Sequence, residues 1–229
     1  KQRERQLLAR HGREWLGELT PFLIDQQLHG QKQSGRTKNY EYEFLRGQLA
    51  EITAQTFDMS FGTALRGSPH CRMLRELTVW STPTSAFDVS EVDPGVAALG
   101  GAQFDNLRVL TLEPAPFGEE PPASLFERMP RLERLELGVL EGAKFLTRLN
   151  TLRELRTWNV SAKMARHWLE CGLLAQLEVI ELPQITHDVA RVLVEAGDKA
   201  ELPTIVVGGD APDEIQAIFH NAGVRYELL

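Results

Sequence analysis

A single frame, Leu-x-x-Leu-x-Leu with aliphatic substitutes, recurs along this chain and constrains it more than any other feature. Its clearest copies are Leu107-x-x-Leu110-x-Leu112 and Leu132-x-x-Leu135-x-Leu137. Leu74-x-x-Leu77-x-Val79, Leu177-x-x-Ile180-x-Leu182 and Leu202-x-x-Ile205-x-Val207 keep the pattern. Leu152-x-x-Leu155-x-Thr157 is a degraded copy, and Leu49-x-x-Ile52-x-Ala54 opens the series. The first positions are separated by 25, 33, 25, 20, 25 and 25 residues. Alternation within the frame predicts a short strand with its fourth and sixth positions turned inward. One such strand cannot bury its apolar face alone, so the copies are expected to stack side by side as a parallel sheet.

Most of these periods fall in the ~20–29-residue range of leucine-rich repeats. The expected fold is therefore α/β: a leucine-rich-repeat solenoid, with a parallel sheet on the concave face and helices on the convex face. About seven irregular repeats fill residues 49–229, after an N-terminal segment over 1–48. The return segments carry helix signals. Ser161 caps a run with Met164, Ala165, Trp168, Leu169 and Leu173 on or near one face. Asp188 to Ala196 presents Val189, Val192 and Leu193 before Gly197 as a stop, and Pro212 opens a turn ended by Gly223. Val224–Leu229 reads as a closing strand.

Two departures are visible. The ninth position, usually Asn or Cys in such repeats, is Phe57, Thr82, Ala115, Leu140, Val160, Ile185 and Asp210, so no asparagine ladder exists. The 33-residue unit carries an insertion, Ser81 to Gly101, which reads as a bulging loop.

Residues 1–30 read as two helices, one with Leu7, Leu8, Trp15 and Leu16, and one after Pro21 with Phe22, Leu23, Ile24 and Leu28. A polar basic loop over 31–38 follows. Tyr40, Tyr42 and Phe44 then alternate as a strand, with Arg46-Gly47 as a turn into the first frame. The run Leu7-Leu8-Ala9-Arg10-His11-Gly12-Arg13-Glu14-Trp15-Leu16-Gly17 and the later Phe44-Leu45-Arg46-Gly47-Gln48-Leu49-Ala50-Glu51-Ile52 resemble the latter half of a bacterial repeat-companion domain, which precedes leucine-rich repeats. The resemblance covers about residues 5–55 and lacks the upstream Tyr-Ala-Asp-Trp-Leu-like helix of the pattern. It implies architecture and a bacterial context, and no catalytic residues.

The frame also assigns an outward face. Its members are Glu51, Thr53, Gln55, Glu76, Thr78, Trp80, Val109, Thr111 and Glu113, then Arg134, Glu136, Glu154, Arg156, Trp158, Val179, Glu181, Thr204 and Val206. Six glutamates against two arginines predict an acidic surface, and Trp80 and Trp158 are its large aromatics. Tryptophan is enriched at binding hot spots. The candidate protein-binding residues are thus Trp80, Trp158, Glu76, Glu113, Glu136, Glu154, Arg134, Arg156 and Glu181. A solvated strand face, or a local shift turning Trp158 inward beside Thr157, is the plainer alternative.

Other chemistry is thinly represented. His167 and Cys171 stand four apart on a predicted helix, but a zinc site needs about four ligands and no second pair matches. Gly208-Gly209-Asp210 reads as a turn before Pro212 rather than a phosphate cradle. No nucleophile elbow, P-loop or dinucleotide fingerprint is present. No cofactor or metal is called for, and a small-molecule ligand is disfavoured. The net charge of −7 disfavours nucleic acid, which needs a basic footprint.

No apolar run is long enough for a membrane span. Lys-Gln-Arg-Glu-Arg at the start does not read as a secretory leader but as the inside of a helix, with natural sequence expected before it. Cys71 and Cys171 are too few and too distant for a disulfide framework, which points to a reducing cytoplasm and sets aside the acceptor-like Asn159-Val160-Ser161. The expected function is non-catalytic: a scaffold, adaptor or regulator that binds another protein, one with a basic patch, through the concave sheet face. The alternatives are a nucleic-acid-binding accessory subunit using Lys32, Arg36 and Lys38, and an enzyme with an unrecognised site.

Overall fold

In a computed structural model, the structure describes residues 2–26, 39–55, 57, 59–80, 94–117, 123–140, 145–197 and 202–229. The strands are β1 (Tyr40–Leu45), β2 (Gln48–Ala54), β3 (Glu76–Trp80), β4 (Val109–Phe117) and β5 (Arg134–Leu140). They continue as β6 (Glu154–Thr157), β7 (Val179–Leu182), β8 (Thr204–Val207) and β9 (Tyr226–Leu228). All nine belong to one open sheet in chain order, with β1 and β9 at its edges. Only the β1–β2 pair is antiparallel; from β2 to β9 the neighbours are parallel.

The recurring frame sets the register. Ile52, Leu77, Leu110, Leu135, Leu155, Ile180 and Ile205 lie opposite one another on successive strands. All seven are buried, as are Ala54, Val79, Leu112, Leu137, Leu182 and Val207 two positions later. The first leucine of each frame, from Leu49 to Leu177, is buried as well, at the turn into its strand.

The helices are α1 (Gln2–Leu16), α2 (Thr20–Leu23), α3 (Met59–Gly67), α4 (Pro94–Leu99) and α5 (Ala123–Phe126). The later ones are α6 (Ala162–Glu170), α7 (Leu173–Gln176), α8 (His187–Gly197) and α9 (Asp213–Asn221). Trp168 of α6, Val189 and Leu193 of α8, and Ile215 and Phe219 of α9 share one apolar cluster with the inward strand residues. The inner face of the sheet is therefore covered by helices and turns. Ser161 caps α6 by accepting from the Met164 N–H, and Gly223, at φ +65°, follows α9.

Several expectations need correction. The second N-terminal helix, α2, stops at Leu23, because Gln26 adopts a positive φ. Its side-chain amide donates to the carbonyls of Leu23 and Tyr40 and accepts from the Tyr40 N–H, tying α2 to β1. The insertion is not simply a loop. Its end forms α4, opened by Pro94, with Ala98 and Leu99 buried. Gly197 is the last described residue of α8, and its φ lies outside the left-handed region. The loop over 31–38, with Lys32, Arg36 and Lys38, lies outside the described residues, as do Leu28 and 81–93.

The Arg46-Gly47 turn between β1 and β2 has φ of +54° and +82°. Two successive positive φ values give the tight primed turn that matches strand twist, which explains the antiparallel edge.

Candidate functional site

The second face of the sheet carries the polar frame positions in three rows. In the first, Glu51, Glu76, Val109, Arg134, Glu154, Val179 and Thr204 follow one another across β2 to β8. In the second, Thr53, Thr78, Thr111, Glu136, Arg156, Glu181 and Val206 do the same. The third begins with Trp80 opposite Glu113. Neighbouring members are about 5 Å apart, the spacing of strands in a sheet.

One half of this face is cross-linked by ion pairs. Arg134 pairs with Glu154 at 3.4 Å and reaches over β6 to Glu181 at 3.2 Å. Arg156 pairs with Glu136 at 3.1 Å and with Glu181 at 3.5 Å. Glu181 is thus bridged by both arginines. The Glu136 and Glu181 side chains are only 14% and 15% exposed, so this is a packed network rather than a freely solvated surface. Thr111, expected on this face as an exposed residue, is buried there, with its hydroxyl 3.4 Å from Glu136.

The two tryptophans differ. Trp158 does not turn inward: Thr157 fills that position, fully buried, with no partner for its hydroxyl among the described residues. The Trp158 indole N–H donates to Glu113, and the Arg156 guanidinium lies 5.0 Å from its ring centre. The backbone N–H of Trp158 bonds the carbonyl of Gly138 on the intervening strand β5. Trp80 makes no such contact among the described residues and is 39% exposed.

The carboxyls of Glu113 and Glu136 stand close enough to influence each other. Burial holds the Glu136 carboxyl above the ordinary carboxylate range; Arg156 opposes this, and the charge and hydrogen bond of Glu113 reinforce it.

The other half of the face stays acidic. Glu43 of β1 lies opposite Glu51, which lies beside Glu76 on β3. No ion pair serves these three among the described residues. Burial raises the pKa of Glu51, and repulsion from Glu76 and Glu43 adds to it. Like charges directly opposed across strands are destabilising, and an external cation relieves that.

Of the residues assigned from the frame, Arg134, Glu136, Glu154, Arg156, Glu181, Glu113 and Trp158 form one connected cluster. Glu76 lies apart from it, toward β1, and Trp80 borders it, opposite Glu113 on the neighbouring strand. Glu43 was missed, because β1 carries no frame; its alternation with Phe44 was the available signal. Among the described residues no three His, Cys, Asp or Glu side chains converge as a metal site needs, and no helix is long and apolar enough to cross a membrane. Cys71 and Cys171 are free thiols, with Cys71 pushed up to about 12 by burial. Compared with protein-family models, with curated proteins and with solved structures, the chain matches none of them.

Proposed function

We propose that this chain is a leucine-rich-repeat solenoid that binds another protein through the uncovered, concave face of its sheet, without catalysis. The observation that carries the reading is the unneutralised row Glu43–Glu51–Glu76, with exposed Trp80 on the same face. A row of carboxylates favours a partner with a basic patch, and a large aromatic supplies the apolar anchor such contacts need. In this reading residues 1–48 are a repeat-companion segment, and the chain acts as a scaffold, adaptor or regulator in a bacterial cytoplasm. Two free thiols are compatible with that compartment.

The test is a displayed random-peptide library selected on the parent chain and counter-selected on Trp80→Ala and on Glu51→Lys with Glu76→Lys. The reading expects enriched peptides rich in Lys and Arg with one bulky apolar residue, all losing affinity for both variants. Enriched peptides that bind the variants as they bind the parent overturn it.

A further inference from the structure

Strand β9 has a hydrogen-bonded neighbour, β8, on one side only. The Ile205 N–H donates to the Arg225 carbonyl, and the Leu229 N–H donates to the Val207 carbonyl. Backbone groups alternate in direction along a strand, so those of Arg225, Glu227 and Leu229 serve β8. Those of Tyr226 and Leu228 point to the open edge. The Val224 N–H is taken by the Phe219 carbonyl of α9, which leaves the Val224 carbonyl. An open edge of this kind is a template for another strand.

The side chains of this segment divide by face. Tyr226 lies opposite Ile205 and Leu228 opposite Val207, both inward residues of β8. The Tyr226 ring packs on Phe219 at 5.7 Å. Leu228 is 49% exposed, although its counterparts in the same row, from Val79 to Val207, are buried. Glu227 lies opposite Val206 on the other face, and Arg225 shares that face by alternation. Both are exposed, and neither belongs to an ion pair among the described residues.

From Val224 to Leu228 the order is apolar, basic, aromatic, acidic, apolar. Reversed, that order is its own complement. An antiparallel copy centred on Tyr226 sets Val224 against Leu228, Arg225 against Glu227, and Tyr226 against itself. The backbone allows this centre, because Tyr226 turns both its groups to the edge and can exchange both bonds with its mate. A centre on Arg225 or Glu227 opposes like charges, which is destabilising.

We propose that β9 is a homodimer interface, on which a second copy of this chain pairs antiparallel about a twofold axis at Tyr226. Tyr226 exchanges two backbone bonds with the partner's Tyr226, and each Leu228 N–H donates to the partner's Val224 carbonyl. On the inner face Leu228 meets the partner's Val224. On the other face Arg225 pairs with the partner's Glu227, and the symmetry repeats the pair. The contact is isologous and closes at two copies. Few residues meet, so the dimer is weak and forms as concentration rises. The seam uses neither Trp80 nor the acidic row, so it stands or falls independently of the binding reading above.

The experiment is sedimentation velocity of the full chain at rising concentration and low salt, with circular dichroism confirming that each variant is folded. The parent is expected to pass from monomer to dimer and no further. Arg225→Glu and Glu227→Arg each set like charges opposite one another in two places. Each alone is expected to raise the dimer dissociation constant at least about tenfold. Combining Arg225→Glu with Glu227→Arg restores unlike pairs and with them the parent's dimer. An equimolar mixture of the two single variants forms a heterodimer, although neither variant dimerises well alone. Both substituted residues are exposed, so the variants leave the core untouched. A parent that stays monomeric, a parent that assembles beyond a dimer, or a combined swap that dimerises no better than the single variants overturns the proposal.

Discussion

The indole N–H of Trp158, which follows β6, donates to the carboxylate of Glu113 on β4, reaching across β5 at Gly138. This contact ties one of the two candidate anchor residues into the sheet and leaves Trp80 as the exposed one. Trp158→Phe keeps the ring beneath Arg156 but removes the donor. It is expected to cost about 0.5–1.5 kcal/mol, the worth of one hydrogen bond. Trp80→Ala is expected to change stability by no more than about 0.5 kcal/mol, as for a surface side chain. Chemical denaturation of the two variants distinguishes these roles; a larger loss at Trp80 than at Trp158 contradicts them.

Leu110 and Leu135 are opposed inward residues of β4 and β5, both fully buried. Truncation of either to alanine leaves a cavity between strands and helices, expected to cost about 2–5 kcal/mol. A denaturation midpoint that barely moves in both variants means that the frame does not define the core.

Thr157 is the degraded sixth position of its frame, and its hydroxyl is buried without a partner among the described residues. Thr157→Val keeps the shape and removes the unpaired group. The expected gain is about 1 kcal/mol, the lower end of the cost of a buried unsatisfied hydroxyl. A loss of stability in the same denaturation experiment shows instead that the hydroxyl is satisfied.

Much of this was legible in the sequence because a parallel stack with a fixed frame converts sequence spacing into register. Leu77, Leu110 and Leu135 are opposed because each is the fourth residue of its frame. By the same logic Glu136, Arg156 and Glu181 form a row, and their alternating charges foretell its ion pairs. Diagonal reach was not legible. Arg134 reaches Glu181 two strands away on its long stem, and Trp158 reaches Glu113 across β5. The frame gave no account of the insertion either, where Pro94–Leu99 folds as a helix against α3. The apolar run from Phe22 to Leu28 did not mark the end of α2, where Gln26 bonds to Tyr40 farther along the chain.

Acid–base behaviour gives a further prediction. The Glu136 carboxyl faces Arg134 on its own strand, Glu113 on β4 and Arg156 on β6, and these two arginines also hold Glu154 on β6 and Glu181 on β7. Its pKa is raised above 4.5 in the folded chain, with burial as the first cause. The folded state then holds this proton more tightly than the unfolded state, so the contribution of Glu136 to stability falls as pH rises from 4.5 through the raised value. Glu136→Gln mimics the neutral form. Its stability relative to the parent is expected to improve across that rise in pH. Unfolding curves at successive pH values check the sign, and a relative decline means that Arg156 dominates the burial of the carboxyl.

The central claim is that the uncovered sheet face binds a basic partner through Trp80 and the Glu51–Glu76 row. Its most direct test is an anisotropy titration with an end-labelled Arg-Leu-Arg-Arg-Leu-Arg peptide, performed on the parent, on Trp80→Ala and on Glu51→Lys with Glu76→Lys. The account predicts saturable binding to the parent, weakened by about 2 kcal/mol when the aromatic anchor is removed. It also predicts a slower, less salt-dependent association when the two charges are reversed. Binding that is equal in all three proteins, or absent from the parent, contradicts it.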